Sequence, residues 1–447
     1  MDTPICDFVK DYADGNRLRL HMPGHKGQNR LGVEEWDITE VEGADVLYEA
    51  DGIIKQSMEN AATLFDTAKT LYSTEGSSLS IRAMLYLALL WGKTQGKRPL
   101  IAAGRNAHRV FMTAAGLLDA EVAWLYPEQE DSLLSCTITP DGLEQALTAM
   151  DEKPVAVYIT SPDYLGNVAD IGGLAEACHR YGALLLVDNA HGAYRQFLPT
   201  SGHPIALGAD LCCDSAHKTL PVLTGGGYLH IAKSAPSMLL EQAEQAMALF
   251  ASTSPSYLIL QSLDGCNRYL ANGYRERLSA FVGEVAALKE RLTAKGYGLV
   301  GEEELKLTIA PKSYGYTGQE LAALLQKEGI VCEFADPDFV VMMLTPDIGA
   351  DSLKRLEKAL LTIPSREAIP LLPPSIPKPK KALSIREALL SPSVAISVAE
   401  AKGRVLATAN VACPPAIPVA VCGEVIDDAA IRCFDYYGIP TCRVVKD

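Results

Sequence analysis

Two short polar runs decide how this chain folds: Asp188-Asn189-Ala190-His191-Gly192 and Asp214-Ser215-Ala216-His217-Lys218-Thr219. Each follows an apolar run, residues 183–187 and residues 209–213, that predicts a buried β-strand. In a parallel sheet, the side chains that follow neighbouring strands meet at the same edge. The two runs therefore predict that Asp188 and Lys218 lie on neighbouring strand ends.

An acid and a lysine in this arrangement are what pyridoxal phosphate chemistry requires. The lysine binds the aldehyde of the cofactor, and the acid keeps the pyridine nitrogen protonated so that the ring can accept electrons. The alternative is an ordinary lysine at the start of a helix. The combination of a strand, Asp188, a second strand and Ser-x-His-Lys is much rarer than a lone lysine. The sequence therefore favours the cofactor interpretation.

Composition excludes several other classes of protein. The 447 residues predict two or three domains, and the net charge of −15 argues against a nucleic-acid or anionic-membrane partner. The 11 cysteines form no Cys-x-x-Cys pair and show no metal-ligand spacing, so no metal site is expected. No signal peptide and no apolar run of membrane-spanning length is recognisable. We expect a cytoplasmic protein with free thiols.

Apolar runs alternate with helical patterns from about residue 61 to residue 265. This alternation predicts an α/β fold with a mainly parallel central sheet and helices on both faces. The predicted strands are residues 99–103, 155–160, 183–187, 209–213 and 226–231.

The chain divides by composition into five predicted segments. A run with six prolines separates the third segment from the last, and residues 418–422 near the C-terminus resemble a strand. The segments are an irregular N-terminal part (1–60), a large cofactor-binding domain (61–270), a small α/β domain (271–363), a Pro-rich linker (364–383) and a C-terminal domain (384–447).

The turn Gly76-Ser77-Ser78 precedes an apolar predicted helix at residues 79–92, which we expect to be buried. Backbone N–H groups and hydroxyls at such a helix start can converge on a phosphate, assisted by the helix dipole. The alternative is a plain serine N-cap. Beside the Lys218 strand, the phosphate-binding interpretation is favoured.

Several motifs together resemble one family. The chain is similar to the Orn/Lys/Arg decarboxylases, which are fold-type I pyridoxal phosphate enzymes, in a short form without the N-terminal wing domain. The resemblance extends from about residue 15 to residue 430. Besides the runs that contain Asp188 and Lys218, it rests on His21-Met22-Pro23-Gly24-His25-Lys26-Gly27, Asp37-Ile38-Thr39-Glu40, Arg105-Asn106-Ala107-His108 and Ser252-Thr253-Ser254-Pro255-Ser256-Tyr257.

This resemblance implies a role for each matching residue. Lys218 binds the cofactor aldehyde, Asp188 pairs with the pyridinium nitrogen, and His108 stacks on the ring. The other cofactor contacts are Gly76, Ser77, Ser78, Ser215 and His217 at the phosphate, Ala190 at the opposite ring face, and Ser252 or Thr253 at the phosphate of a neighbouring subunit. The last contact implies a homodimer or a larger assembly. His191 either lines the cofactor or is a structural histidine.

The implied activity is decarboxylation of a basic amino acid (lysine, arginine or ornithine) to the amine and CO₂. Another pyridoxal phosphate reaction, such as that of an aminotransferase or a different lyase, and a non-catalytic subunit are the alternatives. Glu424 is the candidate partner for the cationic end of the substrate, or else it caps a helix at residues 427–434. The chain departs from the family pattern at Asp45-Val46, Thr224-Gly225-Gly226 and Cys413-Pro414-Pro415-Ala416.

Overall fold

The computed structural model describes residues 1–128, 132–408 and 418–446. The divergent turn at residues 413–416 therefore lies outside the described residues. The chain forms two compact units, which are described separately. The first unit comprises residues 1–98 and 178–277, and the second comprises residues 99–177 and 278–447.

The predicted α/β class is confirmed, and the five predicted strands are present with ends shifted by one or two residues. The strands are β1 (Lys69–Ser73), β2 (Leu100–Gly104), β3 (Glu121–Leu125), β4 (Ala156–Thr160), β5 (Leu184–Asp188), β6 (Leu211–Asp214), β7 (Gly227–Ile231), β8 (Gly298–Val300), β9 (Lys306–Ala310), β10 (Phe334–Ala335), β11 (Val340–Met343), β12 (Ser393–Ser397) and β13 (Thr441–Val445).

Helices occur throughout both units. They are α1 (Pro4–Asp14), α2 (Ile53–Phe65), α3 (Ser77–Thr94), α4 (Arg109–Leu117), α5 (Pro140–Ala149), α6 (Ile171–Arg180), α7 (Ala216–Thr219), α8 (Ser237–Ala248), α9 (Tyr257–Ala271), α10 (Tyr274–Lys295), α11 (Gly318–Lys327), α12 (Gly349–Thr362), α13 (Ile385–Leu390) and α14 (Asp428–Tyr436). Among the residues described, no helix is both long enough and apolar enough to cross a membrane.

The first unit contains the strands that carry the two polar runs. Its strands lie in the order β1-β7-β6-β5. The β5 and β6 strands pair in parallel, with Asp188 opposite Cys213, whereas β7 runs antiparallel to both β6 and β1. Every residue of β5 is buried, as expected for a strand covered on both faces. The register places the end of β5 beside the segment that leaves β6.

The second unit holds the remaining strands. The β2 strand lies between β3 and β4 and pairs in parallel with both. A separate antiparallel sheet has the order β10-β11-β9-β8, and β12 pairs antiparallel with β13. The division of the chain into five segments stays a prediction.

The N-terminal segment is not irregular throughout, because it contains α1. Pro4 occupies the first turn, where a missing N–H costs nothing, and Ile5, Val9 and Tyr12 recur on one buried face. The backbone N–H groups of Ile5 and Cys6 both donate to Asp264 Oδ2 at 2.9 Å. A carboxylate that belongs to α9 thus binds the N-terminus of α1 across more than 250 residues of sequence.

Asp45, which lies in the Asp45-Val46 pair where the chain departs from the family pattern, stabilises the start of α2. Its Oδ2 accepts hydrogen bonds from the backbone N–H groups of Gly52 at 2.9 Å and Ile54 at 3.0 Å. Asp45 itself adopts a left-handed conformation with φ of 72°. A carboxylate at the helix N-terminus is favoured by the unpaired N–H groups and the helix dipole.

The strand expected at residues 418–422 is absent, and that prediction was wrong. The chain turns there instead, since the N–H of Glu424 donates to the carbonyl of Val421 at 3.0 Å. Only isolated bridges follow, between Lys381 and Glu424 and between Val405 and Val425. Val419 and Ala420 are buried in a core cluster of the second unit, and Val421 and Cys422 are buried as well, which explains why the sequence resembled a strand.

Candidate active site

The edge of the sheet where β5 and β6 end carries the predicted acid and lysine. Asp188 is the last residue of β5 and is 2% exposed. Its Oδ1 accepts hydrogen bonds from the backbone N–H of Ala190 at 3.3 Å and from Cys213 Sγ at 3.5 Å. The α7 helix, which contains Lys218, begins two residues after β6 ends.

Lys218 contacts the segment that follows Asp188. Its Nζ lies 3.0 Å from Nε2 of His191, a residue that is 6% exposed. Because a lysine ammonium group only donates hydrogen bonds, Nε2 of His191 is the acceptor when Lys218 is charged. The two polar runs thus meet through their side chains, and His191 lies within proton-transfer distance of the lysine.

The turn at residues 76–78, which we call the Gly76 turn, opens α3 next to this edge. Gly76 is the N-cap residue, with φ of 67°, and Ser77 and Ser78 form the first turn of the helix. No side chain caps this helix, so the alternative of a plain serine N-cap is wrong. Ser215 Oγ donates to Ser77 Oγ at 2.8 Å, which joins the Gly76 turn to the segment that carries Lys218.

Two glycines after α7 allow the backbone to approach the Gly76 turn closely. The N–H of Gly76 donates to the carbonyl of Gly225 at 2.6 Å. A Cβ on Gly227 would lie 2.9 Å from the carbonyl oxygen of Asp214 and 3.2 Å from the backbone nitrogen of Ser77. A larger side chain there would therefore push the Gly76 turn away from β6. The departure from the family pattern at Thr224-Gly225-Gly226 lies within this packing.

His217 borders the Gly76 turn on its other side. Its Nδ1–H donates to the carbonyl of Gly226 at 2.8 Å, and a Cβ on Gly76 would lie 3.7 Å from its Cε1. Burial lowers the pKa of His217, and the nearby Lys218 lowers it further, whereas the bond to Gly226 raises it. The ring is therefore neutral near pH 7, with its lone pair on Nε2.

This set of groups fits pyridoxal phosphate. The Gly76 turn offers N–H groups at the start of an 18-residue helix, and three hydroxyls (Ser77, Ser78 and Ser215) lie around it. Lys218 and Asp188 supply the amine and the carboxylate that the aldehyde and the ring nitrogen require. Each of these residues belongs to the first unit.

Comparison with known proteins identifies the family. The model of the Orn/Lys/Arg decarboxylase major domain matches residues 3–305. The chain belongs to the Orn/Lys/Arg decarboxylase family. The resemblance stated from the motifs is therefore confirmed, and membership groups the chain with amino acid decarboxylases, which are lyases.

Relatives of this decarboxylase family match nearly the whole chain. An arginine decarboxylase of Bacillus subtilis is 29% identical, with 96% of this chain and 92% of the relative covered. An arginine decarboxylase of Halalkalibacterium halodurans is 27% identical over 100% of this chain and 98% of its own length. The solved structure of the Francisella novicida lysine decarboxylase LdcF has a TM-score of 0.80 at 16% identity, covering 99% of this chain and 81% of that chain. That last likeness concerns the fold.

Ser252 and Thr253, which the family resemblance assigns to a neighbouring subunit, lie in an exposed turn. The N–H of Ser252 donates to Oε1 of Glu75 at 2.7 Å. Glu75 directly precedes the Gly76 turn, so this exposed turn lies beside the Gly76 turn of its own chain. The contact of either side chain with a second subunit stays a prediction.

His108 lies in the second unit at the N-terminus of α4. Its Nδ1 accepts a hydrogen bond from the N–H of Val110 at 3.2 Å, which makes it the N-cap of that helix. The neutral ring consequently carries its proton on Nε2. Stacking of this imidazole on the cofactor stays a prediction.

Glu424 forms a buried ion pair with Arg105 in the second unit. Glu424 Oε2 lies 2.8 Å from Arg105 Nη2, and the two side chains are only 6% and 4% exposed. The same oxygen accepts a hydrogen bond from the N–H of Val421 at 2.7 Å. Asp427, not Glu424, caps α14 by accepting from the N–H of Ala430 at 2.8 Å, so the capping alternative for Glu424 is wrong. The role in substrate binding stays a prediction.

Gly225 and Gly227, which hold the Gly76 turn in place, were not predicted as site residues from the sequence. A signal for them was available, because three consecutive glycines, Gly225 to Gly227, at the start of a predicted strand indicate a close backbone approach. His191 was singled out, but its contact with Lys218 was not, since the contact depends on how the two segments turn after their strands.

We expect the affinity of the protein for pyridoxal phosphate to fall as pH rises through neutrality. A phosphate bound beside Nε2 of His217 is stabilised when that nitrogen carries a proton. Because the pKa of His217 is lowered in the cofactor-free protein, the ring has to take up this proton when the cofactor binds. Uptake of one proton changes affinity by at most about tenfold per pH unit. Fluorescence titration of cofactor into the cofactor-free protein between pH 6 and pH 8 measures the slope.

His217→Gln is the matched control, because it keeps a polar side chain but does not titrate. The ionisation of the cofactor phosphate is common to both proteins, so only the difference between the two slopes reports on His217. Identical slopes would contradict the assignment of His217 to the phosphate.

Proposed function

We propose that this protein is a pyridoxal phosphate-dependent decarboxylase of a basic amino acid, arginine, lysine or ornithine. The observation that carries the proposal is the meeting of Lys218 with His191, three residues beyond Asp188, beside the Gly76 turn. Family membership supports the reaction class, and the names of the arginine decarboxylase relatives support the substrate class.

Each of these side chains has a proposed task. The bound cofactor would supply an electron sink for the bond between Cα and the carboxylate. Lys218 would hold its aldehyde carbon, and Asp188 would keep its ring nitrogen protonated. His191 Nε2 would remove a proton from Nζ of Lys218, which leaves a neutral amine, the nucleophilic form of the side chain. Either Nζ or Nε2 could then return a proton to Cα, which completes the amine product.

The phosphate of the cofactor would be held at the helix start. Ser77, Ser78 and Ser215 offer hydroxyl donors. The N–H groups in the first turn of α3 lie at the N-terminus of the helix, which is the positive end of its dipole. His217 would contribute a charge-assisted donor once protonated. His108 would stack on the ring and Ala190 would pack against its opposite face.

Product analysis tests the proposed function. We expect the holoenzyme to convert at least one of arginine, lysine and ornithine to the corresponding amine with one equivalent of CO₂. Lys218→Ala should abolish turnover, and borohydride should fix the cofactor onto the peptide that contains Lys218 in the parent protein. Asp188→Asn should retain cofactor but lose about two orders of magnitude in kcat, which is typical for one positioned catalytic group.

The outcomes separate the alternatives. A keto acid in place of the amine would point to an aminotransferase. Borohydride labelling of a different lysine would refute the assignment of Lys218. Absence of any product from all three amino acids, with the cofactor bound, would show that the substrate class is wrong.

We propose that the active assembly is a dimer or larger. The turn at Ser252 and Thr253 is exposed and lies beside the Gly76 turn. A twofold axis nearby would therefore bring the Ser252 and Thr253 turn of each subunit to the proposed site of the other subunit. A cofactor that contacts both subunits favours their association. Sedimentation should show a larger assembly with cofactor than without it, and Thr253→Val with Ser252→Ala should reduce the difference. A fully active monomer would rule this out.

We also propose that Glu424 contributes to recognition of the cationic end of the substrate. An unpaired cation in a pocket is costly, so an acid is needed, and the partner that Glu424 now has is Arg105. Glu424→Gln should raise KM for basic amino acids and leave the cofactor absorption spectrum unchanged. If the variant lowers only the melting temperature and KM stays normal, Glu424 is a structural partner of Arg105.

We further propose a cytoplasmic location. The cysteines that the structure describes are free thiols, and many of them are buried. Thiols in this state suit a reducing compartment. Fractionation of cells that express the tagged protein would test this, and recovery in a membrane or secreted fraction would count against it.

A further inference from the structure

Asp214, the last residue of β6, is the centre of a buried polar cluster that the proposed reaction does not use. Its Oδ2 lies 3.1 Å from Nε2 of His203 and 3.1 Å from Nε2 of His230, and the three side chains are completely buried. Its Oδ1 accepts a hydrogen bond from Nδ2 of Asn189 at 2.7 Å. We call Asp214, His203, His230 and Asn189 the Asp214 cluster.

The hydrogen bonds of the two imidazoles determine which nitrogen carries a proton. Nδ1 of His203 accepts from the N–H of Ile205 at 3.4 Å, so the proton of the neutral ring lies on Nε2 and is donated to Asp214. Nδ1 of His230 lies 2.9 Å from Oγ1 of Thr70, a hydroxyl that can donate to it. Burial lowers the pKa of His230, which favours the neutral ring.

Asp214 is correspondingly ionised. Burial alone would raise the pKa of this carboxyl group, but His203 and His230 together lower it well below its ordinary range. The carboxylate accepts three N–H donors, and Sγ of Cys212 lies 3.6 Å from Oδ1. A buried anion with this many donors is stable where an unpaired one would not be.

A metal ion is the competing interpretation of the same side chains, since one ligand atom from each of Asp214, His203 and His230 lies within 4.8 Å of the others. A metal needs the lone pair of Nε2 on each ring. On His203 that nitrogen carries the proton, because Nδ1 accepts from a backbone N–H. The hydrogen-bonded arrangement therefore accounts for the geometry without an ion.

The Asp214 cluster connects the two runs that form the proposed site. Asp214 directly precedes Ser215 and the helix that contains Lys218, and Asn189 directly follows Asp188. His230 belongs to β7 and contacts Thr70 of β1, so hydrogen bonds of the cluster connect β6 to β7, to β1 and to the residue that follows β5. The carboxylate lies at the point where β5 and β6 end and their chains turn towards the site.

We infer that Asp214 is a positioning residue: its ionised carboxylate, through Asn189, His203 and His230, holds the segments after β5 and β6 in the geometry that presents Asp188 and Lys218 to pyridoxal phosphate. This inference rests on the proposed function, from which it takes pyridoxal phosphate as the ligand. The decisive change is Asp214→Asn, because an amide has one oxygen for three N–H donors and turns its own N–H₂ towards at least one of them.

Hydrogen exchange on the full-length, cofactor-free protein tests the inference without any ligand. Asp214→Asn should accelerate exchange of the amides in residues 189–192 and 215–219 at least tenfold. Asp210→Asn is the matched control, because Asp210 is also a buried carboxylate in hydrogen-bond contact with a histidine, His179 at 2.9 Å, but lies just before β6 at its other end. The control should leave both segments at the parental rate.

Cofactor affinity provides the second measurement. Asp214→Asn and Asn189→Ala should raise the Kd for pyridoxal phosphate at least tenfold, and Asp210→Asn should change it less than threefold. His203→Gln keeps an N–H donor and should stay near the parental value, whereas His203→Leu should resemble Asp214→Asn. If Asp214→Asn fails to fold, Asn189→Ala and the two His203 variants decide the question, because each removes at most one of the three donors.

Equal exchange rates and equal Kd values for the Asp214 and Asp210 variants would overturn the inference. So would one equivalent of metal in the purified protein that a chelator removes and that His203→Leu no longer binds. A protein that binds no pyridoxal phosphate would refute the proposed function, and the exchange measurement would still decide whether Asp214 positions the two segments.

Discussion

The parallel pairing of β5 with β6 is the constraint on which the proposed site depends. Asp188 lies opposite Cys213, so the residues that follow the two strands leave the sheet at the same edge. A shift of one residue in this register would turn Asp188 to the other face of the sheet. The contact of Lys218 with His191 at 3.0 Å is possible because both segments turn in the same direction after strands that end together.

Buried carboxylates stabilise this arrangement and other parts of the first unit. Asp214 accepts hydrogen bonds from groups that follow β5 and belong to β7, and Asp264 binds the N-terminus of α1. Removal of a carboxylate from such a place leaves buried donors without an acceptor, which costs more than the bond itself contributes. These acids hold together parts of the chain that are far apart in sequence.

The sequence was sufficient to predict what depends on local patterns. The strands that precede Asp188 and Lys218 are runs of apolar residues, and their ends were predicted to within two residues. The helix α1 was missed because the His21–Gly27 region dominates the composition of the N-terminal part, although Pro4 and the spacing of Ile5 and Val9 indicate a helix. The contacts of Asp214 could not be predicted, since His230 becomes its neighbour only through the pairing of β6 with β7, and His203 lies in the irregular segment before β6.

The difference between local sequence patterns and contacts that form only in the folded chain also applies to substrate choice. In the proposed site, Lys218, Asp188 and the Gly76 turn would contact the cofactor, which every pyridoxal phosphate enzyme of this fold shares, so they would not distinguish arginine from lysine. Discrimination requires an acid whose charge is available to the far end of the substrate. The carboxylate of Glu424 already has a cationic partner in Arg105 and is almost fully buried. A substrate cation would therefore have to compete with a guanidinium group that offers several donors in fixed geometry, so recognition through Glu424 requires the Arg105 pair to rearrange when substrate binds.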